Sequence, residues 1–378
     1  MIYLDNTATT FPKPPSMIRE MSECIKKYCG NPGRSSHSLS IKSAERIYET
    51  RELLSEMFDA IPENVIFTYN TTYALNIAIK SLLKYSTHIL ISDIEHNSVL
   101  RPVNALAAQK LCTYDIFSTS GSDEEIILNI KEKIKQNTSM LICTHVSNVG
   151  ERRLPIEKIG KLCKEKCITF IVDGAQSAGV HNISIKNMNI DALCIPGHKS
   201  LYGPQGVGAI IFGSDKVGRA IFEGGTGINS LELEMPDFLP EIHEAGTLST
   251  PSIIGLNESL KWLKNAGIDN IRCHEENLYN TLIELMLDNK KIIVYKMNSY
   301  RGNTLCFNIK DIPSSIVSEK LNKKGICVRS GFHCSPLGHN VLKSGENGAV
   351  RIGIGAFNTK NDIYSTYNVI NSISKSYI

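Results

Sequence analysis

Between residues 15 and 262 the chain repeats one pattern: a short unbroken apolar run, then a longer amphipathic stretch. The runs at 88–92, 140–145, 168–172 and 208–212 are strand-sized and lack the polar alternation of a strand with one wet face. Strands of that kind lie inside a mainly parallel sheet, and the amphipathic stretches between them, such as 156–167, read as crossover helices. The expected fold is therefore α/β, with helices on both faces of a mainly parallel sheet. After about residue 265 the pattern changes to mixed helix and strand, including a run at 302–309 and a C-terminal helix. This predicts a large domain over 15–262 and a smaller α+β domain built from 1–14 and 263–378.

Bulk properties remove several classes of function. The 378 residues carry 41 basic and 38 acidic side chains, a net charge of +3, with no basic tract of the kind that tracks nucleic acid. No apolar run reaches membrane-spanning length, and no basic segment followed by an apolar one opens the chain, so a cytoplasmic location is expected. The 11 cysteines are irregularly spaced. Cys163 and Cys167 form the nearest approach to a metal motif, but no second tight pair accompanies them, so no metal site is expected.

Polar residues gather just past the C-terminal ends of the predicted strands, where ligands bind in open parallel sheets. In Pro196-Gly-His-Lys-Ser-Leu-Tyr-Gly-Pro-Gln-Gly-Val-Gly208, Lys199 lies between two apolar runs; desolvation there lowers an amine's pKa and frees it for Schiff-base chemistry, although a surface loop explains the segment too. Asp173, in Val172-Asp-Gly-Ala-Gln-Ser177, is either a helix N-cap or a buried carboxylate needing a cationic partner. Tyr69-Asn-Thr-Thr-Tyr-Ala-Leu-Asn76 opens a helix, and its backbone N–H groups and two hydroxyls suit a phosphate, with simple capping as the alternative. His96, in Glu95-His-Asn-Ser98, can cover an aromatic ring or be a satisfied polar residue, and Glu244-Ala-Gly-Thr247 is a small turn with a free hydroxyl. Cys334, in Val328-Arg-Ser-Gly-Phe-His-Cys-Ser-Pro-Leu-Gly-His339, lies outside any apolar run and beside groups that favour a thiolate. Arg351, in Val350-Arg-Ile-Gly-Ile-Gly-Ala-Phe-Asn-Thr359, has the fork that a carboxylate takes, or is an ion-pair partner.

In order and spacing these segments resemble the class V aminotransferase-fold enzymes, specifically the cysteine desulfurase and selenocysteine lyase family. The resemblance runs from Tyr3-Leu-Asp-Asn-Thr-Ala-Thr-Thr10 to 357–359, and the Gly197-His-Lys199 and Tyr202-Gly-Pro-Gln-Gly206 signature is its most specific part. It implies fold type I of the pyridoxal 5'-phosphate (PLP) enzymes, with Lys199 bearing the cofactor and Asp173 facing the pyridine nitrogen. His96 would stack on the ring, and Asn148 and Gln176 would address its 3-oxygen. Thr71, Thr72 and His198 would hold the phosphate, and Thr247 would reach the phosphate of a partner subunit in a homodimer. Arg351, with Asn148 and a second arginine, Arg329, would bind the substrate, L-cysteine or L-selenocysteine. Cys334 would accept the sulfur as a persulfide from a short catalytic loop and pass it to a second thiol or an acceptor protein. One departure stands out: relatives carry serine or threonine three residues before the lysine, and here Pro196 removes that hydroxyl. A selenocysteine lyase, another class V activity such as an aminotransferase or epimerase, and a non-enzymatic sulfur- or PLP-binding protein are the competing readings.

Overall fold

The computed structural model describes residues 1–33, 36–150, 152–213, 217–295 and 302–376. Two short strands flank its start, β1 (Ile2–Tyr3) and β2 (Val65–Thr68); then follow β3 (Thr87–Ser92), β4 (Cys112–Phe117), β5 (Thr138–Thr144), β6 (Thr169–Asp173), β7 (Ala192–Pro196) and β8 (Gly208–Phe212). The last seven form one sheet in the order β2-β8-β7-β6-β5-β3-β4. All its neighbours run parallel except those of β8, which is antiparallel to both β2 and β7.

Two-sided burial explains the unbroken apolar runs. Along the strands, alternate side chains enter opposite cores: Leu90, Leu141, Cys143 and Phe170 one way, and Ile89, Ile91, Met140, Ile142 and Ile171 the other. The first core is closed by Leu54, Phe58, Ile159 and Leu260 from the helices Ser38–Phe58, Ile156–Glu165 and Thr250–Ala266. The second is closed by Leu75, Ile79, Val99 and Val103 from the helices Thr71–Ser81 and Asn97–Ala108. Each fully buried Ile, Leu or Phe contributes on the order of 1.5–3 kcal/mol, so a polar residue at any of these places would be costly.

Among the described residues the β2 margin of the sheet has no neighbouring strand, and two side chains occupy it. Arg51 donates to the Val65 carbonyl, and Glu244 accepts the Phe67 N–H at 2.6 Å. The two side chains pair with each other at 2.5 Å, both nearly inaccessible to water.

A second, four-stranded antiparallel sheet has the order β12-β13-β10-β9, from β9 (Ile292–Tyr295), β10 (Thr304–Ile309), β12 (Arg329–Gly331) and β13 (Ala349–Gly353). Its core includes Leu4 from the N-terminal segment, where β1 pairs in parallel with β11 (Ile326–Cys327). The N-terminal segment then crosses β13 at Gly353. A β-carbon there would fall 2.2 Å from Thr7 Oγ1 and 2.6 Å from the Thr7 nitrogen, so only glycine admits the crossing. Among the described residues, no helix is long and apolar enough to cross a membrane.

Candidate active site

The ends of β5, β6 and β7 and the starts of two helices enclose a cavity of about 460 Å³. Thr71, Thr72, His96, Asn148, Asp173, Gln176, His198 and Lys199 all line it. Eight residues singled out from five separated stretches of sequence thus share one space, at the carboxyl edge where parallel strands leave their side chains free.

Lys199 follows β7 and opens onto this cavity. Burial lowers its amine to about 8, although the Asp173 carboxylate pulls the other way. Asp173 closes β6 with its side chain almost wholly inaccessible, and its Oδ1 accepts the Ala175 N–H at 2.9 Å. Burial raises its pKa, opposed by that hydrogen bond and by Lys199. The turn after β6 does not continue as a helix, so Asp173 is not a helix N-cap.

His96 caps the Asn97–Ala108 helix, its Nδ1 accepting the Ser98 N–H at 3.0 Å. Burial, then the Lys199 charge, lowers it to about 4, so the ring is neutral near pH 7. Gln176 donates to the Thr7 carbonyl at 3.1 Å, and Asn148 donates to the His333 carbonyl at 2.8 Å.

The phosphate reading can be tested on the polar atoms themselves. Thr71 Oγ1 and His198 Nδ1 are buried and have no hydrogen-bond partner among the described residues. Both belong to the cavity lining at the N-terminus of the Thr71–Ser81 helix, which Asn70 caps. Two orphaned hydrogen-bonding groups at a helix start match a phosphate dianion. Thr72 is already engaged with Ser98 Oγ at 2.8 Å. Pro196 ends β7, buried and paired with Gly208, so it contributes neither N–H nor hydroxyl. The remaining donors still fit PLP.

The residues read as substrate-handling lie against the same wall. Arg351, from β13, is 2% exposed. Its guanidinium donates to the Asn148 carbonyl at 3.2 Å and to Asp5 Oδ1 at 3.0 Å, while its Nε has no partner among the described residues. Cys334 is exposed, with Arg329 Nη2 3.7 Å from its sulfur. Its loop is stapled to the cavity wall on either side of His96: Asn97 N–H donates to the Cys334 carbonyl at 2.7 Å, and Ser335 Oγ to the Glu95 carbonyl at 3.2 Å. His333 and Cys334 both hold left-handed backbone, at φ +50° and +57°. Such geometry costs a non-glycine residue about 1–2 kcal/mol, and two in succession aim the thiol where an ordinary turn would not.

Thr247 does not join this group. It is exposed, beside Phe222, Gly246 and Tyr73 in a neighbouring hollow. Within one chain it is outside the cofactor cavity.

Several residues of the site were missed by motif reading. Thr9, Thr10 and Lys13 all bond the His198 carbonyl, with Lys13 Nζ at 2.8 Å, and so latch the N-terminal segment onto the Lys199 turn. Asp5 is the countercharge of Arg351, some 346 positions away. Glu95, wholly buried behind His96, accepts from Ser92 Oγ and from Thr144 N–H at 2.9 Å. The run from Tyr3 to Thr10 carried the only signal, through its resemblance and not through its chemistry.

Known proteins share the fold and much of the sequence. A family model described as aminotransferase class-V matches residues 2–365. A probable cysteine desulfurase from Pyrococcus abyssi is 31% identical, over 100% of this chain and 95% of its own. A protein of the same description from Methanothermobacter thermautotrophicus is 29% identical, over 96% and 92%. The solved apo structure of a cysteine desulfurase from Thermococcus onnurineus superposes with a TM-score of 0.92 at 28% identity, covering 99% of this chain and 94% of that one.

Proposed function

Because the chain belongs to the aminotransferase class-V family, we propose that it binds PLP and takes sulfur from L-cysteine, releasing L-alanine and loading the sulfur onto Cys334. The observation that carries this reading is one shared cavity. A perturbed lysine, a buried aspartate and two unpartnered phosphate-type groups face it, and the loop of an exposed cysteine is bonded to its wall.

When bound, the cofactor supplies an electron sink that stabilises negative charge at the substrate α-carbon. Lys199 would hold it covalently through Nζ, with Asp173 facing the ring nitrogen and keeping its proton in place. His96 would cover the ring, Asn148 and Gln176 its 3-oxygen, and Thr71, Thr72 and His198 its phosphate. Thr247 would serve the site of a second copy, in a homodimer. The Arg351 fork orients the substrate carboxylate. With its amine free, Lys199 would take the α-proton on Nζ; an amine near 8 is neutral often enough at pH 7 to do so. The Cys334 thiolate then bonds to the substrate sulfur as the carbon–sulfur bond breaks, and that bond's electron pair stays on the carbon fragment and takes up a proton. The Arg329 guanidinium lies 3.7 Å from that sulfur. Sulfur leaves Cys334 by attack of a second thiol or an acceptor protein.

The test is Cys334→Ala assayed with cysteine and a reductant. The expected result is an intact cofactor absorbance with alanine and sulfide release abolished, against matched alanine and sulfide from the unaltered protein. Full sulfide release by the variant overturns the reading, and alanine formed only with an added keto acid indicates transamination instead. A parallel assay with L-selenocysteine fixes the preferred chalcogen.

A further inference from the structure

Behind the Cys334 loop runs a line of side chains that the proposed reaction does not use. His333 Nε2 is 3.3 Å from the Arg329 carbonyl oxygen, His333 Nδ1 is 2.9 Å from His339 Nε2, and His339 Nδ1 is 2.7 Å from Ser344 Oγ. All three residues are buried, and the two rings are stacked with centroids 5.2 Å apart.

The hydrogens along this line have one consistent arrangement with both rings neutral. A carbonyl oxygen only accepts, so His333 carries its hydrogen on Nε2 and leaves Nδ1 bare. The bare Nδ1 needs a donor, which puts the His339 hydrogen on Nε2. His339 Nδ1 is then bare in its turn and accepts from the Ser344 hydroxyl. Every member donates in the same direction, from Ser344 toward the Arg329 carbonyl. Burial first, and the Arg351 charge second, hold His333 down to about 2 and His339 to about 4, so both rings stay neutral at ordinary pH. Arg329 and Arg351 are the charged groups whose fields reach the pair.

What the line ties together is the whole frame of the thiol. Ser344 follows the Pro336–Leu342 helix, His339 is within it, His333 precedes Cys334, and Arg329 starts β12. The Arg329 backbone ends the line while its side chain touches the Cys334 sulfur. His333 and Cys334 themselves hold left-handed backbone, and neither is a glycine, so some packing from beneath must hold them.

We propose that Ser344, His339 and His333 form a one-directional hydrogen-bond line that acts as a positioning device, fixing the Cys334 thiol and the Arg329 guanidinium relative to the cavity. This rests on the reading of Cys334 as the sulfur acceptor, and its test separates the two. Nitrogen-15 solid-state spectra of histidine-labelled protein, assigned with His333→Gln and His339→Gln, should show both rings neutral with hydrogen on Nε2. A hydrogen on Nδ1 of either ring overturns the arrangement, whatever the enzyme's activity. In turnover with cysteine, His339→Leu should lower kcat about tenfold or more with KM and cofactor absorbance unchanged. His339→Gln, whose amide nitrogen can still donate to His333 Nδ1, should recover most of the loss. An unchanged kcat in His339→Leu refutes the positioning role. Should that variant fail to fold, Ser344→Ala removes only the first donor and is expected to lower kcat in the same way; an unaltered kcat there refutes the role equally. If Cys334→Ala retained full sulfide release while the nitrogen spectra held, the sulfur-acceptor reading would fail and the hydrogen-bond line would stand.

Discussion

Replacing Asp5 by asparagine is the sharpest probe of the substrate side. Arg351 is buried, and its only carboxylate partner among the described residues is Asp5 at 3.0 Å, whose side chain is 22% exposed. Two unit charges about 4 Å apart attract by about 4 kcal/mol at an effective dielectric constant near 20. Removing one member of a fully buried pair costs about 3–5 kcal/mol, chiefly from the charge left behind. Here water reaches Asp5, the asparagine oxygen can still accept, and the Asn148 carbonyl still takes one guanidinium hydrogen. We therefore expect Asp5→Asn to cost about 2 kcal/mol, read as a fall of a few degrees in the thermal midpoint of the cofactor-loaded protein. The same change should sharpen substrate binding, because a carboxylate arriving at Arg351 no longer competes with one already there. KM for cysteine should fall several-fold, and the thermal shift produced by added L-alanine should grow. A variant matching the unaltered protein in midpoint and KM alike would refute the assignment of Arg351 as a charged group shared between Asp5 and substrate.

Two further expectations follow from protons. Since burial lowers Lys199 to about 8, the fraction of neutral amine rises about tenfold per pH unit up to pH 8 and then levels. The rate at which cofactor-free protein captures added PLP, followed by absorbance between pH 6.5 and 9.5, should show that bend; a rate still climbing toward 10.5 would contradict it. Glu95 is pushed up by burial from 4.5 to about 8, so the folded protein keeps a proton there that the unfolded chain loses. Its stabilising contribution is complete below pH 4.5 and declines as pH rises to 8, by up to about 1.4 kcal/mol per unit. Glu95→Gln should remove that decline, and parallel midpoint curves for the two proteins across pH 5–8 would overturn it.

Much of the sheet was legible because two-sided burial leaves so strong a mark. The runs at 88–92, 140–145, 168–172 and 208–212 match β3, β5, β6 and β8 to within two residues at each end. The cavity lining was legible too, since side chains at the carboxyl ends of parallel strands have no other strand to satisfy them. What pattern could not supply was long-range pairing. Nothing near Asp5 announces a partner at 351, and nothing near Lys13 announces the His198 carbonyl, because such contacts depend on where the chain's start lies over β13. The reversed direction of β8 was equally invisible, since a buried strand has the same composition whichever way it points. The histidine line escaped for a related reason: nothing in the spacing of His333 and His339 announces that their rings stack.

The pairing of Arg51 and Glu244 on the outer side of β2 has a consequence beyond stability. A bare strand offers its vacant amides and carbonyls as a template, and another molecule's extended segment can dock there and begin a polymer. Here the Phe67 amide and the Val65 carbonyl are already taken, so recruitment would first have to unseat a shielded ion pair. The sheet's last strand is thus closed by two side chains, one of them, Arg51, reaching from the helix Ser38–Phe58 that packs against it. The carboxylate that guards this border also begins the turn ending in Thr247, so one side chain links the closed edge to the placement of that hydroxyl.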